Sequence, residues 1–123
     1  MKEGFLFCVC QGTCPSFDKE NAYEITNMVR KNFNVEFAAI HPQLCADDGD
    51  RFLKNLLKGT ELDVLYVAGC DPVMQTKMFK DSFAGAGFDG SKLVGTDVRN
   101  KTTEEVKAQI TALIDKTRIE RQK

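Results

Sequence analysis

The sequence has no excess of charge of either sign: 17 lysines and arginines face 18 aspartates and glutamates, for a formal net charge of −1. Without a basic surplus nothing matches a phosphate backbone, so nucleic-acid binding is disfavoured. Long hydrophobic runs are missing too. The longest near the N-terminus, Gly4 to Cys10, is too short to cross a bilayer, and no small-residue cleavage site follows it. A soluble cytoplasmic protein without membrane insertion is expected. Histidine occurs once, as His41, so imidazole-dependent chemistry has a single candidate; placed before Pro42, it reads as a structural residue near Cys45. Gly12, Gly85 and Gly87 form neither a dinucleotide fingerprint nor a phosphate loop. Asp47-Asp-Gly-Asp50 lacks the alternating spacing and closing glutamate of a calcium loop, and is better read as the acidic start of a helix. Repeats, low-complexity segments and linkers are absent.

What remains is 123 residues, 42% apolar and 28% charged, a composition that folds and a length that suits one domain over residues 1–123. Gly4 to Cys10 reads as a buried strand ending in the turn Gln11 to Pro15. Ser16 or Asp18 can cap a helix whose Ala22, Ile25, Met28, Val29 and Phe33 share a face. Val35 to Ile40 is a second strand, and Phe52, Leu53, Leu56 and Leu57 mark a second helix before Gly59. Asp63 to Cys70 is a third strand. Asp71-Pro72 then opens a helix reaching about Ala86-Gly87, whose Met74, Met78, Phe79 and Phe83 form an apolar face. Lys92 to Val98 is a weaker strand, and Thr102 with Glu105 offers a capping box to a last helix, with a fraying charged tail from Lys116. Alternating elements with continuous apolar strands predict a small Rossmann-like or flavodoxin-like three-layer α/β domain on a parallel four-stranded sheet.

Five cysteines in so short a chain, without an export signal, point to metal binding or thiol chemistry rather than a disulfide framework. Their placement sharpens this. Cys8 and Cys10 close the first strand, two apart and so on one side if extended, with Cys14 in the turn. Cys45 follows the second strand and Cys70 ends the third. All five therefore gather at the carboxyl edge of the sheet, where open α/β sheets bind ligands. Thiolates converging there suit an iron–sulfur cluster or a tetrahedral zinc. The same residues also allow a metal-free redox protein, in which Cys70, its pKa lowered at a helix N-terminus, pairs with a thiol of the Cys8 to Cys14 group. The plainest alternative keeps Cys8 as a small core hydrophobe.

Cys8-Val-Cys10 with Gly12, Cys45-Ala-Asp-Asp-Gly49, and Val67-Ala-Gly-Cys70-Asp-Pro72 followed by Phe79 and Ala86-Gly87-Phe88 resemble, in that order, the N-terminal domain of the A-type (HdrA-like) polypeptides of heterodisulfide reductase. The resemblance covers roughly residues 4–99. It implies an iron–sulfur domain with Cys8, Cys10, Cys45 and Cys70 as ligands of a [4Fe-4S] cluster. The implied role is electron transfer, without catalysis of its own, beside flavin- and iron–sulfur-containing partners. There are departures: the glycine that follows the second cysteine in the family is displaced to Gly12, and Cys14 is an additional thiol able to compete as a ligand. Longer members carry a further cysteine after the segment matching Asp97-Val-Arg99, where this chain has Asn100-Lys-Thr-Thr. A similar arrangement in the delta subunit of methyl-viologen-reducing hydrogenases, which holds a two-iron cluster, makes [2Fe-2S] the alternative.

Overall fold

A computed structural model describes residues 1–121. Strands β1 (Glu3–Cys8), β2 (Phe37–His41), β3 (Val64–Gly69) and β4 (Leu93–Asp97) form one parallel sheet in the order β2-β1-β3-β4. Helices α1 (Ala22–Asn32), α2 (Asp47–Leu57), α3 (Pro72–Met78), α4 (Lys80–Ala86) and α5 (Thr103–Arg121) complete the chain. The central strands β1 and β3 are buried along their whole length, as their unbroken apolar sequences require, whereas β2 and β4 at the edges are mostly half-buried.

Alternation along the strands builds two cores. Phe5, Phe7, Tyr66 and Ala68 face Ile25 and Val29 of α1 and Ile110 and Ile114 of α5. Leu6, Cys8, Leu65 and Val67 face Leu53 and Leu57 of α2 with Phe79 and Phe83. This is the three-layer α/β architecture expected, with the strand order that opens a flavodoxin-like sheet.

Four local expectations change. The helix from Pro72 breaks at Phe79 (φ −87°, ψ −4°), so that α3 stays over β4 while α4 packs on α2. Asn21, rather than Ser16 or Asp18, caps α1, its Oδ1 accepting from the Glu24 N–H at 3.0 Å, because Pro15–Phe17 is already a 3-10 turn. β2 starts at Phe37 because Val35 is drawn into a turn by its N–H on the Phe33 carbonyl. The tail does not fray at Lys116: α5 continues to Arg121, with Thr117 buried and Arg118 bound to Glu3. Gln122 and Lys123, which end that expected tail, lie outside the described residues. The capping box is present, Glu105 N–H donating to Thr102 Oγ1 at 3.2 Å and Thr102 N–H to Glu105 Oε1 at 3.0 Å.

Candidate functional site at the sheet edge

The chain leaves β1 through α1 toward β2, and leaves β3 in the other direction toward β4. The carboxyl ends of β1 and β3 therefore form the topological switch point, the place where such sheets open a crevice. Cys8 is the last residue of β1, and Cys70 directly follows Gly69 at the end of β3. Gly69 lets the two approach, since a Cβ there would sit 3.3 Å from the Cβ of Cys8.

Cys10 is not placed as expected. The extended backbone stops at Cys8; Val9 leaves the strand (φ −98°, ψ 12°), and Cys10, Gln11 and Gly12 turn through positive φ of 48°, 69° and 76°. Cys8 consequently packs on the α2 side of the sheet and Cys10 against the core on the α1 side. Two successive non-glycine residues at positive φ are a strained turn of the kind found at functional sites. It is held to the exit of β2 by the Val9 N–H on the His41 carbonyl and the Gln11 N–H on the Pro42 carbonyl.

Cys14 lies close enough to Cys10 for each thiol to affect the other's ionisation. The Ser16 backbone N–H and hydroxyl hold the Cys14 thiol below its usual range, whereas burial, then the neighbouring Cys14, Cys8 and Cys70 sulfurs, push Cys10 up. Cys70 is also pushed up, by burial first and then by Cys8; the Asp71 backbone N–H and the Arg99 guanidinium oppose this. The depressed Cys70 pKa expected from its position before a helix is thus reversed, because desolvation outweighs the few local donors. Cys45 is exposed, its Sγ accepting from Gln43 Nε2 at 3.4 Å. Its loop nevertheless reaches the crevice, where the adjacent Leu44 N–H donates to Cys8 Sγ at 3.4 Å.

The structure thus brings Cys8, Cys10 and Cys70 into electrostatic range of one another, adds Cys14 beside Cys10, and leaves Cys45 exposed. Among the described residues, no three His, Cys, Asp or Glu side chains form a group that could hold a metal ion. Tetrahedral zinc would require sulfurs about 3.8 Å apart, as its short bonds dictate. A polynuclear cluster spreads its thiolates over a wider body, and what it asks of the protein is donors directed at sulfur. Those are present at Cys8, from Leu44, and at Cys70, from Gln75. The residues fit a cluster in this respect.

His41 is structural in geometry: its Nδ1 accepts the Gln43 N–H at 3.0 Å, and its ring centroid lies 5.0 Å from that of Phe52. Met74 and Met78, expected in an apolar face, are instead exposed beside Val73, while Phe79 and Phe83 are core. Three contributors had no sequence signal: the Leu44 N–H, the buried Gln75, and Glu20. Glu20 lines a cleft of about 680 Å³ that opens along the same edge beside Gln11 and Gly12.

The chain is similar to an A-type iron–sulfur subunit of CoB–CoM heterodisulfide reductase from Methanopyrus kandleri, with 24% identity over 106 residues, 77% of this chain and 16% of that protein. It is a distant relative, and the chain spans about one sixth of the length of the curated relative it matches. No family model matches the chain.

Proposed function

We propose that this chain is an iron–sulfur electron-transfer module of a heterodisulfide-reductase-like oxidoreductase complex, in which Cys8, Cys10, Cys45 and Cys70 hold a [4Fe-4S] cluster. The observation that carries the reading is the pair of cysteines at the β1 and β3 ends, flanking the switch point, with Cys10 in electrostatic range of both. The distant relationship to an iron–sulfur protein of that complex supports it. The cluster supplies one-electron transfer when bound; the protein's part is to bury it, supply thiolates and direct hydrogen bonds at sulfur. Flavin- and iron–sulfur-containing subunits would exchange electrons with it. Cys14 is the competing fourth ligand, and a [2Fe-2S] cluster the alternative in the same place.

The test is an iron and acid-labile sulfide assay with a visible spectrum on protein purified without oxygen, repeated for Cys45→Ala, Cys70→Ala and Cys14→Ala. Equal iron and sulfide with broad absorption lost in the first two variants, and kept in the third, supports the reading. Loss in Cys14→Ala and retention in Cys45→Ala moves the fourth ligand to Cys14. A colourless wild type after reconstitution rejects the cluster and leaves a second reading, cluster-free thiol redox chemistry, which the proximity of Cys10 and Cys14 favours.

A further inference from the structure

Gln75 lies in α3, five residues beyond Cys70, and is only 2% exposed. A buried amide needs partners for both ends. Its Nε2 points toward Cys70 Sγ at 4.0 Å, the long end of an N–H···S contact, and its Oε1 has no partner among the described residues. The sheet makes a bed for this amide with two glycines. A Cβ on Gly69 would sit 2.9 Å from Gln75 Nε2; one on Gly95 would press first on Pro72, 2.9 Å from its Cβ, and would touch Gln75 Oε1 at 3.4 Å. Gly95 pairs with Val67 across β3 and β4, and Gly69 is two residues further along β3, so both vacant positions lie on the same side of the sheet.

Packing does not call for glutamine here. An apolar side chain of the same length would fill the space without leaving a carbonyl unpaired. What the amide adds is an N–H directed at one particular sulfur. A hydrogen bond to a ligand sulfur favours the more negative, reduced state of the centre it holds, and so raises the reduction potential.

We propose that Gln75 is a positioning residue for the Cys70 sulfur, its amide seated on Gly69 and Gly95 so that Nε2 donates to that sulfur and raises the potential of the bound cluster. This rests on the reading of Cys70 as a cluster ligand. Arg99, whose guanidinium also acts on Cys70, is mostly turned to Asp97, with Nη2 2.6 Å from Oδ2, so it does not replace the amide.

The experiment is an anaerobic redox titration of the reconstituted full chain, comparing wild type with Gln75→Met, which keeps length without a donor, and Gln75→Asn, which keeps the amide one methylene too short. Both variants should retain iron and sulfide. At the wild-type midpoint both should show about a tenfold lower ratio of reduced to oxidised centre, a fall of about 59 mV for a one-electron couple. Midpoints matching the wild type in the presence of intact cluster overturn the proposal for Gln75 alone. A shift in Gln75→Met but not in Gln75→Asn also overturns it, because pocket polarity and not an aimed N–H would then be responsible. If Gln75→Met does not fold, Gln75→Asn decides. A wild type that holds no cluster rejects the underlying reading and this proposal together, an outcome visible before any variant is titrated.

Discussion

Glu3 and Arg118, 115 residues apart, close the fold at the edge opposite the cysteines: Arg118 Nη2 donates to Glu3 Oε1 at 2.7 Å and Nε reaches both carboxylate oxygens at 3.0 and 3.1 Å. Tyr66 Oη donates to Oε2 at 2.6 Å, and the Arg118 guanidinium lies 5.2 Å from the centre of the Phe33 ring. Glu3 is 2% exposed, a burial tolerated because its charge is paired. Arg118→Met should therefore cost about 3 kcal/mol, since it strands a buried carboxylate. The double variant Glu3→Gln with Arg118→Met should recover part of that loss, because a neutral amide can still accept from Tyr66. Urea unfolding of the three proteins checks both statements.

Gly49 sits in the first turn of α2, where a Cβ would overlap the carbonyl oxygens of Gln43 and Leu44. The close approach holds the loop that carries Cys45 and aims the Leu44 N–H at Cys8 Sγ. Gly49→Ala should push this loop outward at a stability loss of about 1–3 kcal/mol, the usual range for overpacking. The buried Cys8 thiol should then be alkylated faster than in the wild type, read by mass spectrometry. An unchanged Cys8 rate would show that the loop does not guard it.

How far the sequence discloses this molecule depends on the range of the interactions concerned. The central strands are legible because Phe5 to Phe7 and Val64 to Ala68 are apolar on both faces, and only a sheet covered on both sides accommodates that. Placing Cys8 and Cys70 at strand ends follows from the same pattern. The side chosen by Cys10 does not, since it depends on the backbone turning to positive φ at Cys10 and Gln11, neither of which is a glycine. The ordered tail is hidden because Arg118 reads as a surface charge until folding brings Glu3 to it. Gln75 has no local mark either; the space its amide occupies is left open by Gly69 in another element.

Glu20 supplies a pH dependence. Among the described residues neither of its buried carboxylate oxygens has a partner at hydrogen-bonding geometry, and burial lifts its pKa from the ordinary 4.5 to about 7, although the Lys101 backbone N–H and ammonium oppose the shift. The folded state thus holds this proton more tightly than the unfolded chain. The resulting stabilisation is complete below pH 4.5 and is lost as pH rises through 7. Against Glu20→Gln, the wild type should lose roughly 1 kcal/mol of relative stability between pH 5 and pH 8, a figure reduced from the full shift because the residue is partly open to solvent. Denaturant midpoints of both proteins at several pH values test this, and parallel profiles would refute it.

The proximity of Cys10 and Cys14 predicts where the apoprotein oxidises first. Cys14 is the better nucleophile of the two at neutral pH, because Ser16 donors favour its thiolate, and Cys10 is the sulfur beside it. Oxidised glutathione should therefore accept two electrons from this pair, converting two thiols and the disulfide oxidant into a Cys10–Cys14 disulfide and two molecules of reduced glutathione. The protein should lose two alkylatable thiols, and the peptide from Glu3 to Lys19 should be about 2 Da lighter, the mass of two hydrogens. Cys8, buried at the end of β1, should keep its thiol, as should Cys70. Cys14→Ala should prevent the change without altering the alkylation of Cys70. Oxidation that instead joins Cys8 to Cys70 would mean that the strand ends, and not the strained turn, carry the reactive thiols.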